Sequence, residues 1–591
     1  MINGGGEPDR NYQSHLLHVR ELIALLVDRG VAADDIAVFA SDGDEPKPDL
    51  AVLDERTEKH FWLIENLAVG AKLRPAVRLV SSEIDGVRLR PASRAAISSW
   101  FEEEARKLGE GDRLLIYVTD HGRKNKSDLR NNSIVLWGED LSVTDLKRLL
   151  AKLPAGVRTV MLMSQCFSGS FAHAIFGDTA SPRSIDDKIC GYFSSSADRF
   201  AYGCYPENLG KRNVGHSFHF IDAVRVLGSF PRAHDRVQLT DRTPDVPNRT
   251  SDHYLQWLVR AHAGSASVSY DAFADELLGQ AWSDELHYRY ALEQLDQLGE
   301  VFGAFGPRTF AELRERTANL PDLRHDLRRY ARSWGGALLD VKQENFDRFI
   351  AAQPEWGARV GSDVIEDLEP PELRTLRRIL LDDLWAFTMA DPLVRKRLKL
   401  LRTMSREAAA AAYRMEVRLA VALRMREVLG RIAGEVFLDH YANHAERAAY
   451  EGLVACEDFA LEPAAPVLAR LDLGPSYPPL DEELRLLASV LPGWLGIQFR
   501  PLDGDRRALL GLERGAVSVL LVYPHSPAAE AGIVADDIVL GPPGGHFTER
   551  NQIREWVMTS LADREQRLDV LRGDRIVTFP IRIGQPPVDP R

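Results

Sequence analysis

Cysteine is scarce in this chain: Cys166, Cys190, Cys204 and Cys456 are the only four among 591 residues. So few thiols exclude a disulfide scaffold, and none has the C-x-x-C spacing of a zinc ribbon. The expected compartment is therefore a reducing one. Long apolar runs are also missing, since no stretch approaches the roughly 18 to 20 residues needed to cross a bilayer. Met1 to Arg10 are Gly-rich and polar, without the basic start and apolar core of a signal peptide. A cytoplasmic protein is the expectation. An excess of positive charge is lacking too. The chain has 74 Lys and Arg against 87 Asp and Glu, a net charge of −13, which argues against a generic nucleic-acid binder or a polybasic membrane-surface protein. Internal repeats and low-complexity tracts are absent. His15 with His18, and His216 with His219, share i, i+3 spacing but have no Cys or carboxylate at the local spacing of a structural metal site, so neither metal nor cofactor is expected.

The composition that is present, 45% hydrophobic and 27% charged, is that of folded soluble protein, and the length suits several domains. Residues 1–250 alternate short apolar runs with helical patterns, the signature of an α/β sheet covered by helices. Strands are expected at Ile36–Ala40, Phe61–Ile64, Leu114–Val118, Ile134–Trp137, Val157–Met163 and Cys190–Ser194. A helix is expected over His15–Val27, where Leu16, Val19, Leu22, Ile23 and Leu26 share one face, and another over Ala92–Leu108. Residues 251–461 are rich in helix formers and read as an all-α domain, its longest helix opening at Asp391-Pro392 and running past Ile432. Clustered prolines make 462–480 a linker. Residues 481–591 return to strand signals, at Gly493–Phe499, Val517–Val522, Asp537–Leu540, Leu568–Leu571 and Ile576–Ile583, with one helix near Asn551–Ala562.

Two apolar strands end in unusual residues. Leu114–Asp120 leads into His121-Gly122, and Val157–Gln165 leads into Cys166-Phe167-Ser168-Gly169-Ser170. Ligands of open α/β sheets bind beyond the carboxyl ends of strands, so parallel neighbours would bring a base and a thiol to one crevice. A free thiol near pKa ~8.5 is mostly protonated at neutral pH, and a helix opening at Ser168 or a nearby imidazole would favour its thiolate. His121 has the pKa range of an acid–base catalyst, and the N–H groups of Gly122 and Cys166 are candidate oxyanion donors. Singly, such a cysteine is ordinarily a small buried hydrophobe and a His-Gly pair an ordinary turn. The two contexts together point to nucleophilic catalysis. Cys190, Cys204 and Cys456 read as small buried residues.

These blocks resemble the caspase–legumain superfamily of cysteine peptidases, and Tyr117-Val118-Thr119-Asp120-His121-Gly122 is most similar to its legumain branch. The resemblance covers about residues 1 to 250 and implies a caspase-like, mostly parallel sheet and a cysteine endopeptidase. It also implies that Asn11, in Asn11-Tyr12-Gln13-Ser14-His15, orients the catalytic histidine. Gln13, Ser164, Ser195, Tyr202 and His216 are implied substrate-binding positions. Legumains carry an arginine where Gln13 stands and an acid where Ser164 stands, so a neutral specificity pocket is implied here. Asp178–Lys188 occupies the place of a cleavable loop. Met1-Ile2-Asn3 is only a stub of the family's first central strand, which implies an internal start and leaves room for a leader or anchor upstream.

Gly493-Trp494-Leu495-Gly496-Ile497, together with Val519–Ile533 and Asp536–Leu540, resembles PDZ domains of the bacterial protease-associated type. That implies binding of a C-terminal peptide at Leu495, Gly496 and Ile497. The expected function is a cysteine endopeptidase whose PDZ-like module recognises a protein substrate or partner. The alternative is an inactive peptidase-like scaffold that binds peptides through that module.

Overall fold

The computed structural model describes the chain except residues 178–184, 207–214, 367, 462–479, 488–490, 550, 561–563 and 586–591. The expected linker and most of the expected cleavable loop thus lie outside the described residues. The chain forms two compact units. The first comprises residues 1–55, 76–320 and 416–480, and the second comprises 56–75, 321–415 and 481–591. These units cut across the helical stretch expected over 251–461.

In the first unit a seven-stranded sheet is built from β1 (Ile2–Asn3), β2 (Val38–Ala40), β3 (Leu89–Arg90), β4 (Arg113–Val118), β5 (Arg158–Met163), β6 (Ile189–Phe193) and β7 (Asn248–Arg249). The order is β7-β6-β5-β4-β1-β2-β3. All neighbours run parallel except the edge pair β6 and β7. This is the caspase-like α/β arrangement expected. Helix α1 (Gln13–Asp28) buries Leu16, Val19, Leu22, Ile23 and Leu26 on the face its periodicity marks. Helix α2 (His216–Leu227) packs on the same face of the sheet, where Phe220, Ile221 and Val224 join the α1 cluster. Residues 133–135, expected in the main sheet, instead form the middle of a separate antiparallel sheet with Gly122–Arg123 and Asp140–Ser142. The sharp turn at His121-Gly122 carries the chain out of β4 into that smaller sheet.

Two further expectations differ. Phe61–Leu63 is a 3-10 turn in the second unit, not a strand. There His60 stacks on Trp385, with ring centroids 4.0 Å apart, and the Arg402 guanidinium lies 4.1 Å from the Trp62 ring. A four-residue apolar run has no period to separate strand from turn, and these packing partners decide it. Cys190 and Cys456, expected as unpaired thiols, form a disulfide. Cys190 lies in β6 and Cys456 in helix α7 (His444–Glu457), which packs on that strand. Their separation of 266 positions hides the pairing from sequence.

The second unit includes helix α4 (Leu320–Ala352, its first residue excepted), α5 (Pro370–Ala390) and the first part of α6 (Pro392–His440); α3 (Thr250–Ser265) belongs to the first unit. Its β-rich module is an antiparallel sheet ordered β8 (Ile497–Pro501), β9 (Val517–Val522), β10 (Ile538–Gly541), β11 (Glu565–Arg572) and β12 (Arg575–Arg582), with helix α8 (Gln552–Thr559) beside it. Leu495, Val517, Val519, Ile553, Leu568 and Ile581 form its core. No helix among the described residues is long and apolar enough to cross a membrane.

Candidate active site

Strands β4 and β5 pair in register over their whole length, ending at Met163 opposite Val118. Their carboxyl tips therefore lie side by side, one continuing into Thr119-Asp120-His121 and the other into Ser164-Gln165-Cys166. The contact between the two tips is backbone-close. A Cβ built on Gly122 would stand 1.9 Å from the Cys166 carbonyl oxygen, so only glycine fits there. Phe167 follows with φ 61°, a left-handed conformation costly for a bulky residue, and a 3-10 run begins at Ser168. The Phe167 N–H donates to the Arg199 carbonyl at 2.9 Å, which holds this elbow in place.

The Cys166 thiol is half-buried and unpaired. Its pKa is lowered to about 7, first by a hydrogen bond from Cys204, with further help from the N–H groups of Ala201 and Gly122 and the charge of His15, all against the upward push of burial. The Ala201 N–H lies 3.3 Å from Sγ. The proton of Cys204 is correspondingly held, its pKa raised by Cys166 and then by burial.

His121 is held by two neighbours. Its N–H donates to the Asp120 carboxylate at 2.6 Å, and its ring Nε2 lies 3.0 Å from the Arg10 carbonyl. A carbonyl only accepts, so Nε2 carries the proton and Nδ1 keeps the lone pair in the neutral ring. Burial lowers the pKa of His121, partly opposed by Asp120. Asp120 is itself buried, accepts from the Gly5 N–H and lies 3.3 Å from Nδ1 of His15. One ligand atom each from His15, Asp120 and His121 falls within 4.8 Å of the others. Sequence spacing gave no sign of that group, because Asp120 and His121 come from a different element than His15. His18 bonds Thr119 at 2.8 Å, and His219 lies 3.3 Å from Asp241.

The remaining expected site residues are distributed unevenly. Asn11 is fully buried, and its amide nitrogen donates to the Asp49 carbonyl (2.9 Å) and to Ser82 (3.3 Å), so the group bonded to the His121 ring is the carbonyl of the preceding residue. Ser164 and His216 meet, Oγ to Nδ1 at 3.0 Å, and burial lowers the His216 pKa to about 3, which keeps the imidazole neutral. Gln13 begins α1 with its Oε1 buried and without a hydrogen-bond partner among the described residues. Tyr202 is exposed, with its N–H on Asp245 at 2.7 Å. Ser195 is fully buried behind the elbow, its carbonyl accepting the Gly169 N–H at 2.8 Å. Sequence reasoning missed Arg10, His15, Ala201 and Cys204, which act at this site through a main-chain carbonyl, a charge, an N–H and a thiol. None belongs to either strand-tip pattern.

A parallel sheet with a histidine and a cysteine at adjacent strand tips, followed by an antiparallel PDZ-like module, defines a caspase-like α/β protein joined to a small β-rich domain. Residues 99–223, which include both tips, match the Peptidase C13 family. Curated relatives include a probable periplasmic serine endoprotease DegP-like of Brucella suis biovar 1, 30% identical over 110 residues, a match covering 18% of this chain and 21% of that protein. The chain thus spans about a fifth of the length of the curated relatives it matches. Among solved structures, the HtrA3 PDZ domain bound to a phage-derived ligand is 23% identical, with a TM-score of 0.14 and coverage of 16% of this chain and 88% of that one. The HtrA-type protease AlgW with a tripeptide is 24% identical, with a TM-score of 0.16 and coverage of 18% and 38%.

Proposed function

We propose that the protein is a cysteine endopeptidase of the legumain type, with Cys166 as nucleophile and His121 as acid–base. The observation that carries this reading is the setting of the thiol, which receives hydrogen bonds from Cys204 and Ala201 beside a histidine-bearing strand tip. The Cys166 thiolate attacks the peptide carbonyl carbon, and the Cys166 N–H, which makes no hydrogen bond among the described residues, would face the oxyanion, joined by the Gly122 N–H once the sulfur it held is bonded to carbon. His121, having taken the thiol proton at Nδ1, delivers it to the leaving amine, the C–N bond breaks, and a thioester remains. Water deprotonated by His121 then hydrolyses the thioester and restores the thiol. The Arg10 carbonyl holds the histidine ring, a positioning role that falls beside Asn11. Gln13, Ser164 and His216 give a neutral pocket, and the PDZ-like module positions a protein substrate or partner.

A peptide-library digest tests this. Wild-type protein should cleave internal bonds with a consistent preference before the scissile bond, and Cys166→Ala should cleave none. Equal product from both proteins, or none from the wild type, would favour the scaffold reading.

A further inference from the structure

The second unit contains a cleft of about 770 Å³ beside β8. Strand β8 is an edge: among the described residues it pairs with β9 alone, so its other side offers unpaired backbone groups to an added strand. Across the cleft, α8 contributes Ile553, Val557 and Met558. At one end, residues 493–496 turn through Gly496 at φ 77°, where a Cβ would collide with Ser526. The carbonyls of Leu495 and Gly496 accept from Ala528 and Tyr523, but their N–H groups find no acceptor among the described residues. Two adjacent free N–H groups on a glycine turn are suited to an anion.

The third wall comes from outside the β-rich module. Helix α4 presents Arg329, Tyr330, Arg332, Ser333 and Gly336 to the cleft. Arg554 and Asn551 at the start of α8 bond Asp340 of α4 at 2.9 and 3.1 Å, and Arg397 of α6 grips Glu555 with its Nε 2.8 Å from one carboxylate oxygen. These contacts fix both helices. Among the described residues the lining contains three arginines and no carboxylate, in a chain whose net charge is −13. Arg554 is committed to Asp340 and Arg329 to Asp326 at 3.1 Å. Arg332 is exposed and has no ion-pair or hydrogen-bond partner among the described residues.

We infer that α4 completes a peptide cleft selective for acidic carboxy-terminal segments. The ligand adds to the free edge of β8, its terminal carboxylate meets the N–H groups of Leu495 and Gly496, its apolar last side chain enters between β8 and α8, and an acidic side chain upstream meets Arg332. This rests on reading the module as peptide-binding and adds a selecting wall from the helical segment.

Fluorescence anisotropy of the full chain with labelled Val-terminated peptides tests it. A peptide with Glu at the upstream positions should bind about tenfold tighter than its Lys counterpart at low salt, and the gap should narrow as salt screens the charges. Arg332→Glu should close or invert the gap, while circular dichroism confirms the fold. C-terminal amidation should weaken every peptide. If Glu and Lys peptides bind equally, or Arg332→Glu leaves their ratio unchanged, the selecting wall is refuted and peptide binding stands. If none of them binds, both readings fall.

Discussion

Cys204 hydrogen-bonds the sulfur of Cys166, and this contact is the largest influence lowering the pKa of that thiol. Cys204 in turn gives up its own proton less readily. The two thiols therefore divide the labour, one held as a donor so that the other ionises. Removing the donor in Cys204→Ala should move the midpoint of Cys166 alkylation by iodoacetamide up from about 7 toward the ~8.5 of a free thiol. At neutral pH the thiolate fraction would fall about fivefold over the first unit of that shift and more steeply beyond it. Cys204→Ser, which keeps a donor, should recover part of the loss. An unchanged pH–rate profile in the alanine variant would show that Ala201 and Gly122 suffice.

The disulfide gives a second expectation. Protein denatured without reductant should titrate two thiols, Cys166 and Cys204, and four after reduction, since Cys190 and Cys456 are paired. Cys456→Ser should lower the melting temperature, because the cross-link joins β6 to α7 across 266 residues and such bonds contribute about 2–4 kcal/mol. Four thiols in the unreduced sample would show that the two sulfurs remain apart.

Gly122 offers a steric test. Gly122→Ala places a methyl carbon against the Cys166 carbonyl oxygen, 1.9 Å away, and neither partner is a flexible side chain that can swing aside. The two strand tips must then part, so peptide cleavage and thiol reactivity should fall together, by roughly a hundredfold for a displacement of about 1 Å. Gly86, at φ 72° with open space around it, is a control for glycine loss elsewhere: Gly86→Asn should leave cleavage intact.

Glu457 supplies a pH test. It is buried beside Arg249 and accepts both the N–H and the hydroxyl of Ser251, yet burial raises its pKa from 4.5 to about 7. A carboxyl whose folded pKa lies above its unfolded value stabilises the fold most below the unfolded pKa. That contribution is lost as pH rises through about 4.5 to 7. Glu457→Gln cannot ionise, so the difference in melting temperature, variant minus wild type, should grow in the variant's favour across that window and level off above it. A constant difference would place the ionisation of Glu457 outside the window.

The strand tips were legible because strands β4 and β5 are buried on both faces and so read as unbroken apolar runs, with the reactive residue standing where each run stops. The PDZ-like module was legible for a related reason: its glycine turn and following strand are contiguous in sequence. The unread parts depend on contacts between distant segments. Cys204 reaches Cys166, His15 reaches Asp120 and Cys456 reaches Cys190 only once the sheet has formed, and no local period encodes those meetings. The cleft wall is similar, since Arg332 lies on an ordinary amphipathic helix far from residue 495 in sequence.

Arg424 ties such distant parts to the thiol. It is fully buried in α6, and its guanidinium donates to the carbonyls of Gln238 (3.3 Å), Asp241 (2.5 Å), Thr243 (3.0 Å) and Asp245 (2.6 Å). The loop it gathers presents Asp245 to the Tyr202 N–H, and the residue before Tyr202 is the one whose N–H reaches the Cys166 sulfur. Arg424→Met preserves much of the volume but strips those carbonyls of their donor and leaves the Asp241 carboxylate, 3.9 Å away, without its cation. Loss of one partner from such a buried set costs about 3–5 kcal/mol, so the melting temperature should fall. Because the loop also positions the Ala201–Tyr202 segment, the alkylation rate of Cys166 should fall at temperatures where the variant is still folded. A variant that melts early but alkylates at the wild-type rate would show that Arg424 stabilises the fold without setting the thiol.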